Sequence, residues 1–247
     1  MLTKIINSQM KLSEKFDDIV MPSQFRVSNY YFRSIISTYI RENSVIYEIG
    51  GGKHPFTSRD LKTLLQCQIV GVDIDEGELE NAPAAVYDKT IVADITKYRG
   101  IEDGDIAICL MVLEHVKDTK LALQGIASCL KKGGYCAILL PSGNALYSWI
   151  NRMLPEGLKR RLLFSIFPQS KNHANFRAYY DHCTPGQIKQ ACKSIGLEIV
   201  EERYYYQSPY FSFFFPLYVL WRIYLLLYYI LDKKEAAETF GLVLRKS

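Results

Sequence analysis

The stretch that most constrains this chain is Ser44-Val45-Ile46-Tyr47-Glu48-Ile49 followed by Gly50-Gly51-Gly52. A short apolar, β-rich run that reaches an acid and then breaks into consecutive glycines reads as a buried parallel strand leaving through a tight turn. Glycine suits that turn because the backbone there visits positive φ, and because a ligand can approach bare main chain. In an open α/β sheet, the crevice beyond the strand ends is where nucleotides bind.

Further apolar runs follow in the same rhythm. Gln68-Ile69-Val70-Gly71-Val72-Asp73-Ile74-Asp75 sets Asp73 at a strand tip, about twenty residues after the turn, where a carboxylate can accept both hydroxyls of a ribose. Thr90-Ile91-Val92-Ala93-Asp94 again closes on an acid. Asp105 to Leu110 runs into Met111-Val112-Leu113-Glu114-His115-Val116. Tyr135 to Leu140 follows Leu130-Lys131-Lys132-Gly133-Gly134 and ends at Pro141. Strands alternating with helices, among them 29–41 and 55–67, imply a parallel sheet covered on both faces.

Five elements now stand in order over residues 28–141: Glu48-x-Gly50-x-Gly52, Gly71-Val72-Asp73, Val92-Ala93-Asp94, Leu113-Glu114-His115-Val116 and Leu130-Lys131-Lys132-Gly133-Gly134. In this the chain resembles the class I S-adenosylmethionine-dependent methyltransferases, in particular the small-molecule, "type 11"-like domain. The resemblance implies a single domain over 1–247: a seven-stranded, doubly wound, mostly parallel Rossmann-like sheet with an antiparallel last strand. It implies S-adenosyl-L-methionine as cofactor. Backbone at Gly50, Gly51 and Gly52 would approach the amino-acid part, and Glu48 would orient that loop or receive the ammonium. Asp73 would hold the ribose hydroxyls, Asp94 would accept from the adenine amino group, and Ile74, Ile95, Leu110 and Met111 would flank the nucleoside. Where the family often has a further glycine, this chain has His54.

Three segments lie outside that frame. Residues 1–27 read as a cap over the cofactor pocket. Residues 142–183 break the strand–helix rhythm and follow a central strand, so they read as a helical lid over the crevice. Thr184-Pro185-Gly186-Gln187 then opens a helix with a capping signal, running to about Ile195. Between strand six, from Leu197, and strand seven, Phe240–Leu244, an apolar aromatic helical insertion occupies 209–235. From Tyr210 to Leu231 it holds a single charge, Arg222, and Pro216.

A single membrane crossing there would leave strand seven on the wrong side of the bilayer from strand six. Two readings of the insertion stay open: a helix buried against its own core or a twin subunit in a homodimer, or a monotopic helix at a membrane surface. Arg222, Lys233, Lys234 and the Lys159-Arg160-Arg161 cluster would suit anionic lipid in the second reading.

Methylation of an alcohol needs its proton removed, so a histidine or carboxylate base is expected. His115, just beyond strand four, is the best placed, with His173 and His182 in the lid next; Arg177, Tyr179 and Tyr180 are candidates to line an acceptor pocket. The place where DNA amino-methyltransferases carry an Asn-Pro-Pro-Tyr-like run holds Leu110-Met111-Val112-Leu113, and no basic stripe interleaved with aromatics suggests RNA. A small-molecule, glycan or lipid-linked acceptor is therefore expected, and no nucleic acid. Gly50-Gly51-Gly52-Lys53-His54-Pro55 departs from GxGxxG, which disfavours an NAD-dependent dehydrogenase or epimerase. A non-catalytic scaffold that keeps the fold and uses the apolar segment to hold a membrane or partner is the other alternative.

The net charge of +4 decides little. The six cysteines lack CxxC pairing, which points to a reducing, cytoplasmic setting, peripheral at the inner membrane face if the apolar segment binds lipid, and to no metal site. Met1 to Phe16 has no continuous apolar stretch of the kind a secretory signal needs.

Overall fold

The computed structural model describes residues 2–155, 157–159, 161, 176–208 and 210–247. Seven strands form one sheet: β1 (Val45–Ile49), β2 (Gln68–Asp73), β3 (Lys89–Val92), β4 (Gly104–Leu110), β5 (Leu130–Pro141), β6 (Leu197–Tyr205) and β7 (Thr239–Lys246). Their order is β3-β2-β1-β4-β5-β7-β6, and β7 runs antiparallel to both β5 and β6. The chain reverses direction across the sheet between β1 and β4, which pair in parallel with Ile49 opposite Cys109. That reversal opens a crevice at the carboxyl ends of the strands.

Alternation along the strands explains why both sheet faces are covered. Tyr47, Ile49, Cys109, Ile138, Leu140 and Leu242 point into one buried cluster. Ile46, Ile69, Ile106, Ile108, Leu139 and Val243 point into the other. Side chains of period two with both sets apolar need cover on each side. Helix α5 (Thr119–Cys129), capped by the Asp118 side chain on Leu121 N, lies among the first set. Helix α2 (Tyr31–Ser37) gives Phe32, Ile35 and Ile36 to the second.

Element bounds differ from the sequence reading where side chains intervene. Helix α2 is shorter than 29–41 because Thr38 N bonds back to Ile35 O and Tyr39 N to Ile36 O, which closes the last turn. Helix α3 (Arg59–Leu65) does not open at Pro55. The Glu48 carboxylate takes the Phe56 and Thr57 amides instead, and Ser58 then caps the helix on Leu61 N. Strand β5 takes in the stretch from Leu130 that precedes the apolar run at Tyr135, with a register shift opposite Gly104–Ile106. Strand β6 continues past Val200 to Tyr205, which pairs with Thr239. Helix α4 (Glu76–Glu80) starts at an Asp75 cap, and α7 (Pro185–Ser194) at Thr184, whose hydroxyl accepts from Gln187 N.

The insertion between β6 and β7 forms α8 (Phe215–Leu231), with Pro216 tolerated in its first turn. Among the described residues no helix is long and apolar enough to cross a membrane. Of the segment 1–27 that the sequence reads as a cap, helix α1 (Leu2–Val20) packs along α8, and no described residue before Asn29 lines the crevice. Ser13 donates to Ser212 O, and Gln9 Oε1 accepts from Phe215 N.

Nor does Arg222 face lipid. It is fully buried and grips Asp17 through Nε (2.9 Å) and an η nitrogen (2.7 Å). It also donates to Tyr206 O and Phe25 O, while the Tyr218 hydroxyl donates to Asp17 at 2.8 Å. Burial raises the Asp17 pKa above the ordinary carboxylate value even against the pull of Arg222 and Tyr218. A charge with no water must keep its partner. Asp17→Ala is therefore expected to cost about 3 kcal/mol in chemical denaturation by stranding the guanidinium, and Asp17→Ala/Arg222→Met is expected to recover part of that loss.

Candidate cofactor and acceptor site

The crevice encloses about 1140 Å³ and draws its lining from the loops after β1, β2, β3 and β4. Glu48, Gly50, Gly51, Gly52, Asp73, Ile74, Asp94, Ile95, Leu110, Met111 and His115 all line it. These residues sit far apart in the sequence, and parallel strand ends bring them together.

The turn after β1 needs its glycines. Gly50 and Gly52 have φ of +67° and +44°, and a Cβ at Gly50 would lie 2.4 Å from Val112 Cγ2. His54 occupies no such position: its backbone is not left-handed, and its amide donates to Gly51 O to close the turn. The sequence departure from the third glycine therefore leaves the turn intact. Beneath it, Glu48 is buried and spends one oxygen on Phe56 N (3.1 Å) and the other on Thr57 N (2.8 Å). Burial raises its pKa, while the donors from Thr57 and Phe56 and the nearby Arg33 pull it back. Both oxygens bind main chain, so this carboxylate orients the loop. The Tyr87 hydroxyl fixes the far end by donating to Gly52 O at 2.9 Å.

Asp73 closes β2 with one oxygen on Asp75 N (3.0 Å) and its second near Gly52. Burial, with Glu78 adding repulsion, raises its pKa. Asp94 lies beyond β3 and accepts from both the amide and the hydroxyl of Thr96. Burial opposes ionisation there, but Thr96, Lys97 and Lys117 outweigh it and the pKa falls. At the end of β4, Met111 adopts φ of +56°, held by its amide bond to Leu139 O. That left-handed residue turns the chain into the one-turn 3-10 helix Leu113–His115.

The strap 176–181 folds back over this helix, with Tyr179 N and Tyr180 N both donating to Glu114 O. It brings Phe176 and Tyr179 to the crevice. His115 Nδ1 lies 3.1 Å from Arg177 O. A carbonyl only accepts, so Nδ1 carries the proton and Nε2 keeps its lone pair. Burial lowers the His115 pKa, which favours the neutral ring. Of the other sequence candidates, His182 bonds Asp181 at 2.8 Å and does not line the crevice, and His173 lies outside the described residues. Tyr180 is buried away from the crevice, and Arg177 lines a smaller hollow with Arg152 and Lys159.

Sequence reasoning missed Arg33, Glu78, Lys117 and Phe176 as lining residues. Arg33 stands out only once α2 is seen to end at the turn, where it donates to Phe56 O and covers the Phe56 ring at 4.6 Å. Glu78 pairs with Lys53 at 2.9 Å across the mouth of the turn.

Glu114 itself points away from solvent, and its Oε2 has no hydrogen-bond partner. Burial pushes its pKa from 4.5 up to about 8. Between those values the folded state holds a proton that the unfolded chain releases. Its contribution to stability is thus full below the unfolded value and is lost as pH rises through the folded one. Glu238, also buried and likewise raised to about 8, behaves the same way. Thermal unfolding of Glu114→Gln from pH 5 to 8 is expected to show a shallower decline than the parent, with Glu238 and the other raised carboxylates Asp17, Glu48 and Asp73 contributing to the slope that remains.

The family profile described as "Methyltransferase domain" matches residues 28–202. No curated protein matches the chain significantly. Among solved structures the fold is similar to an S-adenosylmethionine-dependent methyltransferase from Mesorhizobium loti, with TM-score 0.56 and 16% identity over 86% of this chain and 96% of that one. It is similar to phosphoethanolamine N-methyltransferase 2 of Haemonchus contortus in complex with S-adenosyl-L-methionine, with TM-score 0.56 and 17% identity over 95% of this chain and 60% of that one. It is similar also to the cyclase SpnF, with TM-score 0.53 and 12% identity over 87% and 80%. At such identities the structures speak for the fold alone, and the profile, which spans most of the chain, speaks for the family. The protein belongs to the methyltransferase-domain family and is a class I S-adenosylmethionine-dependent methyltransferase.

Proposed function

We propose that the protein transfers a methyl group to an oxygen of a small-molecule, glycan or lipid-linked acceptor, with His115 as the base. The observation that carries this reading is His115 itself: an imidazole on the crevice wall whose burial favours the neutral form, whose Nδ1 is held by Arg177 O and whose Nε2, 3.8 Å from Glu114 Oε1, keeps a lone pair to accept a proton. The family match speaks against the nicotinamide-dependent dehydrogenase or epimerase.

The residues present fit the cofactor. The glycine turn leaves main chain bare where side chains would collide, which suits the amino-acid portion. Asp73 reaches the crevice with an oxygen beyond the one used on Asp75 N, which suits a ribose diol. Asp94, with Ile74, Ile95, Leu110 and Met111 around it, offers an acceptor beside apolar walls for an adenine ring. The bound cofactor supplies a methyl group already activated by its sulfonium charge.

The chain's task is then alignment, exclusion of water and proton removal. Phe176, Tyr179 and Val112 enclose the acceptor end of the crevice. His115 Nε2 takes the hydroxyl proton as the oxygen attacks, and the Arg177 carbonyl, accepting from Nδ1–H, steadies the imidazolium that forms.

Asp73→Ala is expected to weaken S-adenosylhomocysteine binding about tenfold or more in calorimetric titration, as the loss of a hydrogen-bonded diol would; unchanged affinity would remove Asp73 from the site. For the chemical step, methyl-labelled S-adenosylmethionine would be offered with a panel of hydroxylated small molecules and a lipid extract. His115→Gln is expected to lower turnover by about 10²–10⁴ with cofactor affinity unchanged. Label recovered on nitrogen, or full turnover in this variant, would refute the oxygen and base assignments respectively.

A further inference from the structure

Helix α8 is turned inside out. Tyr218, Trp221 and Arg222 face inward, Tyr228 and Tyr229 are half-buried, and the outer stripe is mainly aliphatic. Leu220, Leu227, Ile230 and Leu231 are 67%, 58%, 68% and 85% exposed, and Ile223 lies on the same stripe with Tyr224 at its edge. The spacing of three and four residues makes this one uninterrupted apolar face along a helix about 25 Å long. A stripe of that size facing water marks a contact surface.

Three observations select the occupant. Protein–protein contacts depend on tryptophan, tyrosine and arginine anchors, and here Trp221, Tyr218 and Arg222 are turned inward and engaged. The charge is also placed for an anionic surface. Residues 142–183 hold six lysines and arginines against Glu156 and Asp181, a net +4 that equals that of the whole chain, so the remainder is balanced. Within that segment, α6 (Leu146–Met153) exposes Trp149 and Met153, and Arg152 lies over the Trp149 ring at 5.2 Å. Finally, topology sets all of this at one edge. Strands β5 and β6 both run opposite to β7, so the lid segment after β5 and the insertion after β6 leave from the same carboxyl edge as the crevice.

We propose that α8 lies in the surface of an anionic bilayer, its aliphatic stripe among the acyl chains and the described basic residues Arg152, Lys159 and Arg161 at the headgroups. The helix lies flat, since it is not long and apolar enough to cross. The crevice then opens beside the membrane, and its acceptor is lipid-borne; that last step rests on the methyl-transfer reading above.

The test is cosedimentation of the full chain with vesicles of phosphatidylcholine containing about 30% phosphatidylserine, and with phosphatidylcholine alone. Binding to the anionic vesicles is expected, weaker without phosphatidylserine and weaker at high salt. Leu220→Gln/Leu227→Gln/Ile230→Gln, all at exposed positions, is expected to lower partitioning about tenfold or more while binding S-adenosylhomocysteine as the parent does. A parent that stays in the supernatant, or a triple variant that pellets equally, would overturn the proposal. So would a parent dimer that the triple variant splits in sedimentation velocity, which would assign the stripe to a second copy. Vesicle binding without S-adenosylhomocysteine binding would leave the docking surface standing and sink only the lipid-borne acceptor.

Discussion

The cofactor end of this protein depends on one buried carboxylate. Glu48 ends the most central part of β1, and its two oxygens hold the amides of Phe56 and Thr57. Those bonds draw the chain back across the glycine turn and delay α3 until Ser58 can cap it. Without them, consecutive glycines would be a source of conformational freedom where the site needs a fixed shape. A carboxylate buried at this depth is tolerated because both oxygens are satisfied by main chain. Its neighbour Tyr87, donating to Gly52 O, fixes the same loop from the other side.

A second carboxylate organises the insertion before β7. Asp17 ties α1 to α8 through Arg222 and Tyr218, so the apolar insertion docks on an N-terminal helix rather than on the sheet alone. Ion pairing thereby consumes the only charge of α8, and the outer face is left aliphatic. The ion pair and the exposed stripe are two consequences of the same rotation of the helix about its axis. Had Arg222 faced outward, Leu225 and Trp221 would have lost their place in the core.

The wall of the crevice beyond β4 is built by a strap rather than by a strand. The amides of Tyr179 and Tyr180 bond Glu114 O, and the carbonyl of Arg177 receives His115 Nδ1. Main-chain groups thus select the tautomer of the ring, and the side chains of Phe176 and Tyr179 close the crevice above it. Glu114, adjacent in sequence, is buried with Oε1 3.8 Å from His115 Nε2, and burial holds its proton to about pH 8.

The sheet, its order of motifs and the cofactor wall were legible in the sequence. Strand-end acids and glycines act through backbone geometry that the local pattern already specifies, so Glu48, Gly50, Gly52, Asp73 and Asp94 could be read without coordinates. The apolar content of 210–231 was legible too, and so was the place of His115 just beyond strand four. What only the tertiary structure decided were relations between distant segments: that residues 1–27 pair with α8, that Arg222 turns inward to Asp17, and that His182 binds Asp181 outside the crevice. The reason is physical. Periodicity and turn chemistry are encoded within a few residues, whereas the orientation of a helix that is apolar all round, and the partner of a lone charge on it, depend on what the rest of the chain brings against it.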